Sequence, residues 1–576
     1  MTSVHPQHMK PCTALVLLPL LAALAACSSS SNDTTTPDAG TPPPPPNPPP
    51  AALTVAPATA DVLSCGTSKF AASQSGAAPA GVTWTSSDGT IDADGTFHAP
   101  THALASAATI TAHVGADSAN ASANVATAFP HAPTAIAGSS GAVAGVFDHA
   151  AAAKGKRVYT AWATKPSAGS VGISFARSDD GGATFAAAKS AVTTNVSVSG
   201  AVPAMDCVSV AIDAANADVV YIAGHVNVDN DIIHAATPAA KDQTVFLLVS
   251  EDGGGTWKTY PMWGGQSANG PLGGWDSPVI CPDVVSPAAN AVVVATPGGG
   301  DVCAGSPDIA IWADAARGAG FASGVGDGSN ADFVANGTTR ALDRIDGTSA
   351  CPDNGHIEVL ANGGTDFTGG TTESPRLFAD GAGHACTTFI GGVSDGGPVG
   401  GGTEHAYVMC SDATAATFTR IVLDPSDGNR YHTTAVGGFG PNGRAAVAWA
   451  TSNGTNDEKL FVAISKDSGA TWSAPIQVKG YAPPGDTGPG TRTPAIAWDA
   501  SGVLWIAYEP YDGGAERLVV DKTCDDGASF SGPVLVNGPE GSVANARFPV
   551  LLATGDAAPA LLSHVDASLQ ITRLAP

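Results

Sequence analysis

Seven polar residues recur at one register of a repeated strand pattern, and they are where this chain could do chemistry. With the repeats aligned on their first strand, the position two residues before its start carries Asp206, Asp276, Glu373, His432, Arg492 and Arg547, and the first repeat offers Asp148. The order places an acidic arc beside a basic arc at the mouth of a central channel. The same residue types also cap strands and form turns, so both readings stand. Asp229-Asn230-Asp231 offers hard oxygens suited to Ca²⁺, without the spaced ligands of an EF-hand loop. A solvated loop is the simpler account, and no other cofactor is implied. The glycine runs at 298–300 and 400–402 have no Lys-Ser/Thr partner, which removes a phosphate loop. No Gly-x-Ser-x-Gly or His-Glu-x-x-His occurs.

These residues must be positioned by repeated β units. An apolar strand, a turn and a second apolar strand recur, as in Val208–Asp213 leading to Val219–Ala223 and Pro494–Asp499 leading to Val503–Tyr508. Each full unit then carries Ser/Thr-x-Asp-x-Gly-x-Thr/Ser-Trp/Phe. The copies begin at Ser178, Ser250, Ser465 and Thr523, with aspartates Asp180, Asp252, Asp467 and Asp525. Asp accepts hydrogen bonds from turn N–H groups, and Gly supplies a positive φ. This motif resembles the Asp box of sialidases and BNR-repeat proteins, which implies a β-propeller. The gap between the second and third copies is about three times the first gap, which leaves room for two decayed units, near Asp308–Trp312 and Ala406–Asp412. A final partial unit, Phe548–Leu552, Ala560–Ser563 and Gln570–Arg573, would be completed by an early strand near His131–Ile136. Seven blades are favoured, with six as the alternative. Strand alternation puts the boxes at the bottom of the ring and the seven polar positions at the top.

The sialidase resemblance also implies a catalytic set: three arginines that clamp a carboxylate, a Tyr–Glu nucleophile pair and an Asp acid/base. Arg492-Thr493-Pro494 and Arg547-Phe548-Pro549 are similar to the family's Arg-Ile-Pro, yet they stand at the end of the propeller, where the family has its motif at the start. Arg376 or Arg430 would be the third arginine. Tyr431 or Tyr508, beside Glu373 or Glu509, would be the nucleophile pair. The displaced motif favours a binding module for a glycan or cell-surface protein, with an exo-α-sialidase or related glycoside hydrolase as the alternative.

Ahead of the propeller, residues 51–128 contain Val82-Thr83-Trp84-Thr85-Ser86-Ser87-Asp88-Gly89, Ile91–Phe97 and the alternating Ala108–Val114. This pattern resembles bacterial Ig-like domains, which implies a β-sandwich spacer or adhesive module. The expected class is therefore all-β, an Ig-like sandwich followed by a propeller over 130–576. Residues 1–26 read as a secretory signal whose apolar run, Thr13–Ala26, is shorter than the roughly 20 residues a membrane helix needs. Leu24-Ala25-Ala26-Cys27 resembles a lipobox, which implies acylation of Cys27. Residues 27–50 are a Ser/Thr/Pro-rich tether with too little apolar surface to fold. Ser28 after the cysteine favours the outer membrane. Net charge is −26 although charged residues are 13% of the chain, which argues against nucleic acid and anionic lipid as partners. A lipid anchor is the expected membrane contact, and a monomer the expected state. Eight cysteines follow Cys27, an even number that reads as disulfides in an exported chain, with Cys281–Cys303 and Cys386–Cys410 as plausible local pairs.

Overall fold

The computed structural model describes residues 51–140, 142, 148–196, 205–236, 243–265, 282–298, 308–314, 317, 339–341, 372–393, 403–411, 418–424, 431–432, 435–452, 459–478, 494–509, 518–536, 546–565 and 568–576. Cys27, Asp276, Cys281, Cys303, Arg430 and Arg492 lie outside the described residues. For Asp206, Glu373, Tyr431 and His432 the backbone alone is described. The class is all-β; among the described residues the helices are a short α-helix, Asp231–Ala236, and a 3-10 turn, Pro441–Gly443.

Among the described residues, seven successive sheets follow residue 130. Sheet one holds His149–Lys154, Arg157–Ser167, Ser170–Ser178 and Lys189–Asn195 in that order. Sheet two holds Met205–Ile212, Val220–Val226, Gln243–Ser250 and Lys258–Gly265. Sheet three holds Asp283–Val285, Val292–Gly298, Asp308–Asp314 and Thr339–Ala341; sheet four holds Thr372–Ala379, Ala385–Val393, Thr403–Ser411 and Phe418–Val422. In sheet five the first strand is split into Tyr431–His432 and Val436–Phe439, both paired with Ala445–Ser452, before Lys459–Ser465 and Ile476–Gln477. Sheet six holds Ala495–Trp498, Leu504–Tyr508, Val519–Thr523 and Val534–Leu535. Sheet seven holds Ala546–Leu552, Ala560–Val565 and Ser568–Arg573, and its fourth strand is Thr134–Ala135 from the other end of the chain. The first strand of each sheet touches the first strand of the next, and the first strand of sheet seven touches that of sheet one. The result is a propeller ring, with first strands at the axis.

The second strands read as unbroken apolar runs because neighbouring sheets cover both faces. Val220–Val226 is buried at every residue. The core is accordingly divided among the seams. Phe175, Val210 and Phe246 fill the seam between sheets one and two, and Phe378, Val408, Val447 and Trp449 that between four and five. Trp162, Trp449 and Trp505, each on a second strand, are fully buried.

The Asp boxes join third and fourth strands and share one geometry. In the second box Ser250 Oγ donates to Asp252 Oδ1 at 2.8 Å, Thr256 N donates to Oδ1 at 2.9 Å, and Thr256 Oγ1 donates to Oδ2 at 2.8 Å. The Asp180, Asp467 and Asp525 boxes repeat these bonds. Each box also locks a seam. Gly254, at φ 89°, lies so close to Phe175 of sheet one that a Cβ would stand 2.2 Å from its ring. Gly469, at φ 90°, would meet Cys410 Sγ of sheet four at 2.5 Å. Ion pairs cross the same face: Arg177–Asp179 at 2.9 Å beside the Arg157–Asp218 pair, Arg317–Glu251 at 2.7 Å, Lys466–Asp526 at 2.7 Å, and Lys156–Asp556.

The N-terminal unit is built from Thr59–Leu63, Asp117–Ala126, Ala108–Val114 and Thr83–Ser86 in one sheet, with two smaller sheets beside it. Phe70, Phe97 and Ile110 are fully buried in its core. Thr59–Leu63 runs parallel to its neighbour, and Ile91–Phe97 falls in a tight hairpin of Thr90–Ile91 and Thr96–His98.

Candidate functional site

The mouth of the ring is built on a repeated irregularity. Asp206, Glu373 and Arg547 lie inside the first strands, each as the second residue, and do not precede them as the register suggested. The strands extend further because a one-residue bulge follows each: between Asp206 and Val208, between Glu373 and Arg376, and between Arg547 and Val550. Sheet five breaks at the same place, between His432 and Val436. A bulge re-aims the side chains around it and locally ends regular pairing. The first strand of sheet one begins immediately after Asp148. Two bulge residues, Cys207 at φ 57° and Phe548 at φ 55°, occupy the left-handed region, an uncommon conformation for such side chains.

Carboxylates of the preceding sheet hold these irregular segments. Asp148 Oδ1 accepts from Cys207 N at 3.4 Å. Asp283 Oδ2 accepts from Leu377 N at 2.7 Å, while its Oδ1 takes Val284 N at 3.0 Å and the Ser209 hydroxyl. Glu509, buried, accepts from Phe548 N. At two seams the carboxylate takes an N–H inside the bulge, Cys207 and Phe548, and at a third Asp283 takes the N–H of Leu377, in the regular pairing just past the bulge. Such groups are costly to leave unsatisfied when buried.

Three buried histidines accompany them. His225 and His564 stand opposite Asp206 and Arg547 on the second strands. His149 Nε2 donates to Phe548 O at 3.0 Å, so this nitrogen carries the proton, and its ring lies 6.2 Å from that of His564. Burial pushes the His149 imidazole down to about 4, with His564 acting in the same direction. Burial raises the Asp148 carboxyl above the usual range, against the Cys207 N–H and His564. None of these histidines was singled out from the sequence. A signal existed: Gly224-His225-Val226 and Ser563-His564-Val565 occupy one register of two second strands.

Arg376 and Arg547 both flank bulges, and both are half-buried. Burial lowers the Arg376 guanidinium, and Asp283 opposes that shift. Tyr508 and Glu509 face different seams. Tyr508 packs in the core between sheets five and six, whereas the next residue, Glu509, reaches sheet seven. Successive residues of extended chain face opposite ways. Burial raises the Tyr508 phenol above its usual range, and Asp521 adds to the effect. Tyr431 pairs through its backbone with Ser452, on the split first strand of sheet five.

The Asp229-Asn230-Asp231 side chains do not converge on a common point. Asp229 takes His234 Nε2 at 2.6 Å, Asn230 Nδ2 donates to Thr244 Oγ1 at 3.0 Å, and Asp231 takes Asn195 Nδ2 at 2.7 Å. Lys522, another buried charge, has its ammonium pushed down to about 7 by burial and lies 4.3 Å from the Trp505 ring centroid. It sits on a third strand inside sheet six, away from the mouth.

Among the cysteines, Cys386 and Cys410 pair across neighbouring strands of sheet four. Cys65 pairs with Cys524, a long-range bond the sequence spacing did not reveal. Cys207, at the mouth, is also disulfide-bonded.

No family model matches the chain, and no curated protein matches its sequence. Among solved structures, an ulvan lyase of polysaccharide lyase family 25 is similar at 10% identity and TM-score 0.45, covering 78% of this chain and 96% of its own. A Hadza microbial sialidase is similar at 11% identity and TM-score 0.40, covering 83% and 75%. An α-L-arabinanase of Penicillium chrysogenum is similar at 13% identity and TM-score 0.38, covering 69% and 98%.

Proposed function

We propose that the chain is a cell-surface lipoprotein whose propeller is a recognition module, binding a glycan or a cell-surface protein at the mouth of its ring. The observation that carries this reading is the capping of bulges by Asp148 and Glu509, with Asp283 holding the strand just past a third. Carboxylates engaged with backbone N–H groups hold a surface in shape, and are poorly placed to act as a general acid and base. Acylation at Cys27, the tether over 27–50 and an Ig-like spacer over 51–128 belong to the same proposal, with the outer membrane as location. An exo-α-sialidase or related glycoside hydrolase is the second reading. The observation favouring it is that Arg376 and Arg547 flank equivalent bulges.

The test uses the soluble chain from residue 51 onward, a glycan array and a fluorogenic sialoside. Binding without turnover between pH 4 and 8 is the expected result. Turnover abolished by both Arg547→Ala and Arg376→Ala would replace the binding reading with the enzyme.

A further inference from the structure

We infer that the N-terminal unit closes the propeller ring a second time, covalently. The hydrogen-bonded closure is short. Thr134 and Ala135 pair with Ile571 and Gln570 of the last strand. Around them Phe129 N donates to Leu574 O, His131 N to Arg573 O and Ile136 N to Leu569 O, each at 2.9 Å. This closing segment begins a few residues after Ala126, where the last strand of the N-terminal unit ends.

That unit is itself fastened to sheet six on the Asp-box face. Cys65 is bonded to Cys524, which lies inside the fourth Asp box. Ser64 Oγ donates to Ser531 Oγ at 2.8 Å, Ser531 Oγ to Thr101 O at 2.6 Å, and Thr127 Oγ1 to Gly532 O at 2.8 Å. Leu63 and Ala128 are buried in one core cluster with Trp505, Val520 and Leu561 of sheets six and seven.

The chain path gives these contacts their consequence. From Cys65 the chain passes through the closing segment, runs through sheets one to six, and returns to Cys65 at Cys524. The bond spans 459 residues, a covalent circle that follows the ring. Sheet seven occupies the gap in that circle, because three of its strands follow Cys524 and its fourth precedes sheet one. Separating sheet seven from sheet one would therefore pull the N-terminal unit from sheet six, against the disulfide. Cys386–Cys410 is the internal contrast: it closes 24 residues within one sheet and crosses no seam. Sheets six, seven and one also carry Glu509, Arg547, His564, Asp148 and His149, so the covalent closure sets the spacing of those groups. The inference does not depend on what the mouth binds.

Hydrogen exchange on the full exported chain tests this. Cys65→Ser with Cys524→Ser should raise amide exchange in Leu569–Arg573 by about tenfold or more, and open the segment 127–136 to protease. Cys386→Ser with Cys410→Ser should leave exchange in Leu569–Arg573 unchanged. If the first double variant does not fold, phosphine reduction of the folded wild-type chain, followed by mass spectrometry, gives the same measurement. Cys65 and Cys524 are partly exposed, whereas Cys386 and Cys410 are buried, so the long-range bond should be reduced first. Unchanged exchange in Leu569–Arg573 after confirmed loss of the Cys65–Cys524 bond would overturn the inference. An equal effect from loss of Cys386–Cys410 would overturn it as well.

Discussion

The two faces of the ring solve the same problem, ending strands in a crowded assembly, by opposite means. On the Asp-box face the solution is repeated almost unchanged: the same serine or threonine, aspartate and glycine make the same bonds in four sheets. On the mouth face the geometry recurs, as a one-residue bulge at equivalent places in the first strands, but the residues around it vary from seam to seam. Asp148, Asp283 and Glu509 do one job from different sequence positions. Repetition marks what those four sheets share in order to pack. Variation on a repeated backbone marks where one sheet differs from the next, as the proposed recognition of an asymmetric ligand would require.

The largest effect should come from the repeated face. Gly254→Ala forces a side chain into a left-handed turn and against Phe175, and should cost roughly 2–4 kcal/mol in denaturant unfolding. A loss below 1 kcal/mol would show that the boxes are not the joints described here.

Acid should separate the two faces by pH. His149 is neutral in the fold with its imidazole near 4, against 6.5 when unfolded. The stability tied to this neutral form is complete above about pH 6.5 and is lost as pH falls towards 4, by roughly 3 kcal/mol. His149→Gln should flatten that slope in melts taken at stepped pH. The Asp180 and Asp252 carboxyls are held at about 2 by hydrogen bonds within their boxes, although burial works against this at Asp180. Their contribution is complete above about pH 4 and fades only as pH falls towards 2, so the mouth should weaken first. A single acid transition below pH 4 that His149→Gln leaves unaltered would remove the distinction.

Glu509→Ala leaves Phe548 N without its acceptor and should cost about 1–3 kcal/mol. It should also weaken ligand binding more than that loss of stability explains, because it frees the Arg547 segment. Asp180→Asn should have the smallest effect, since its box is exposed. It should remove the pH dependence between about 4 and 2 with little change at neutral pH, read from the same melts.

The faces also differed in how far the sequence disclosed them. The Asp boxes were legible because their function is local: the donor, acceptor and glycine lie within eight residues. The second strands were legible from continuous apolar runs, and the closing strand near residue 134 from the missing fourth strand of the last unit. The mouth was legible only as a register. Bulges shifted Asp206, Glu373 and Arg547 into their strands, and no local pattern announces a bulge made by pairing with a strand further along the chain. The carboxylate caps and the Cys65–Cys524 bond join residues far apart in sequence, and spacing says nothing about such contacts. Tyr508 and Glu509 looked like neighbours with a shared task, and strand alternation sent them to different seams.

The most direct test of the central claim sets one face against the other on a single ligand. A glycan bound by the wild-type chain on the array would be titrated against Arg547→Ala at the mouth and Arg177→Ala on the Asp-box face. Loss of binding by about tenfold or more in the first variant, with the second unchanged, is the result predicted here. Unchanged affinity in Arg547→Ala together with lost affinity in Arg177→Ala would place recognition on the Asp-box face and contradict the assignment.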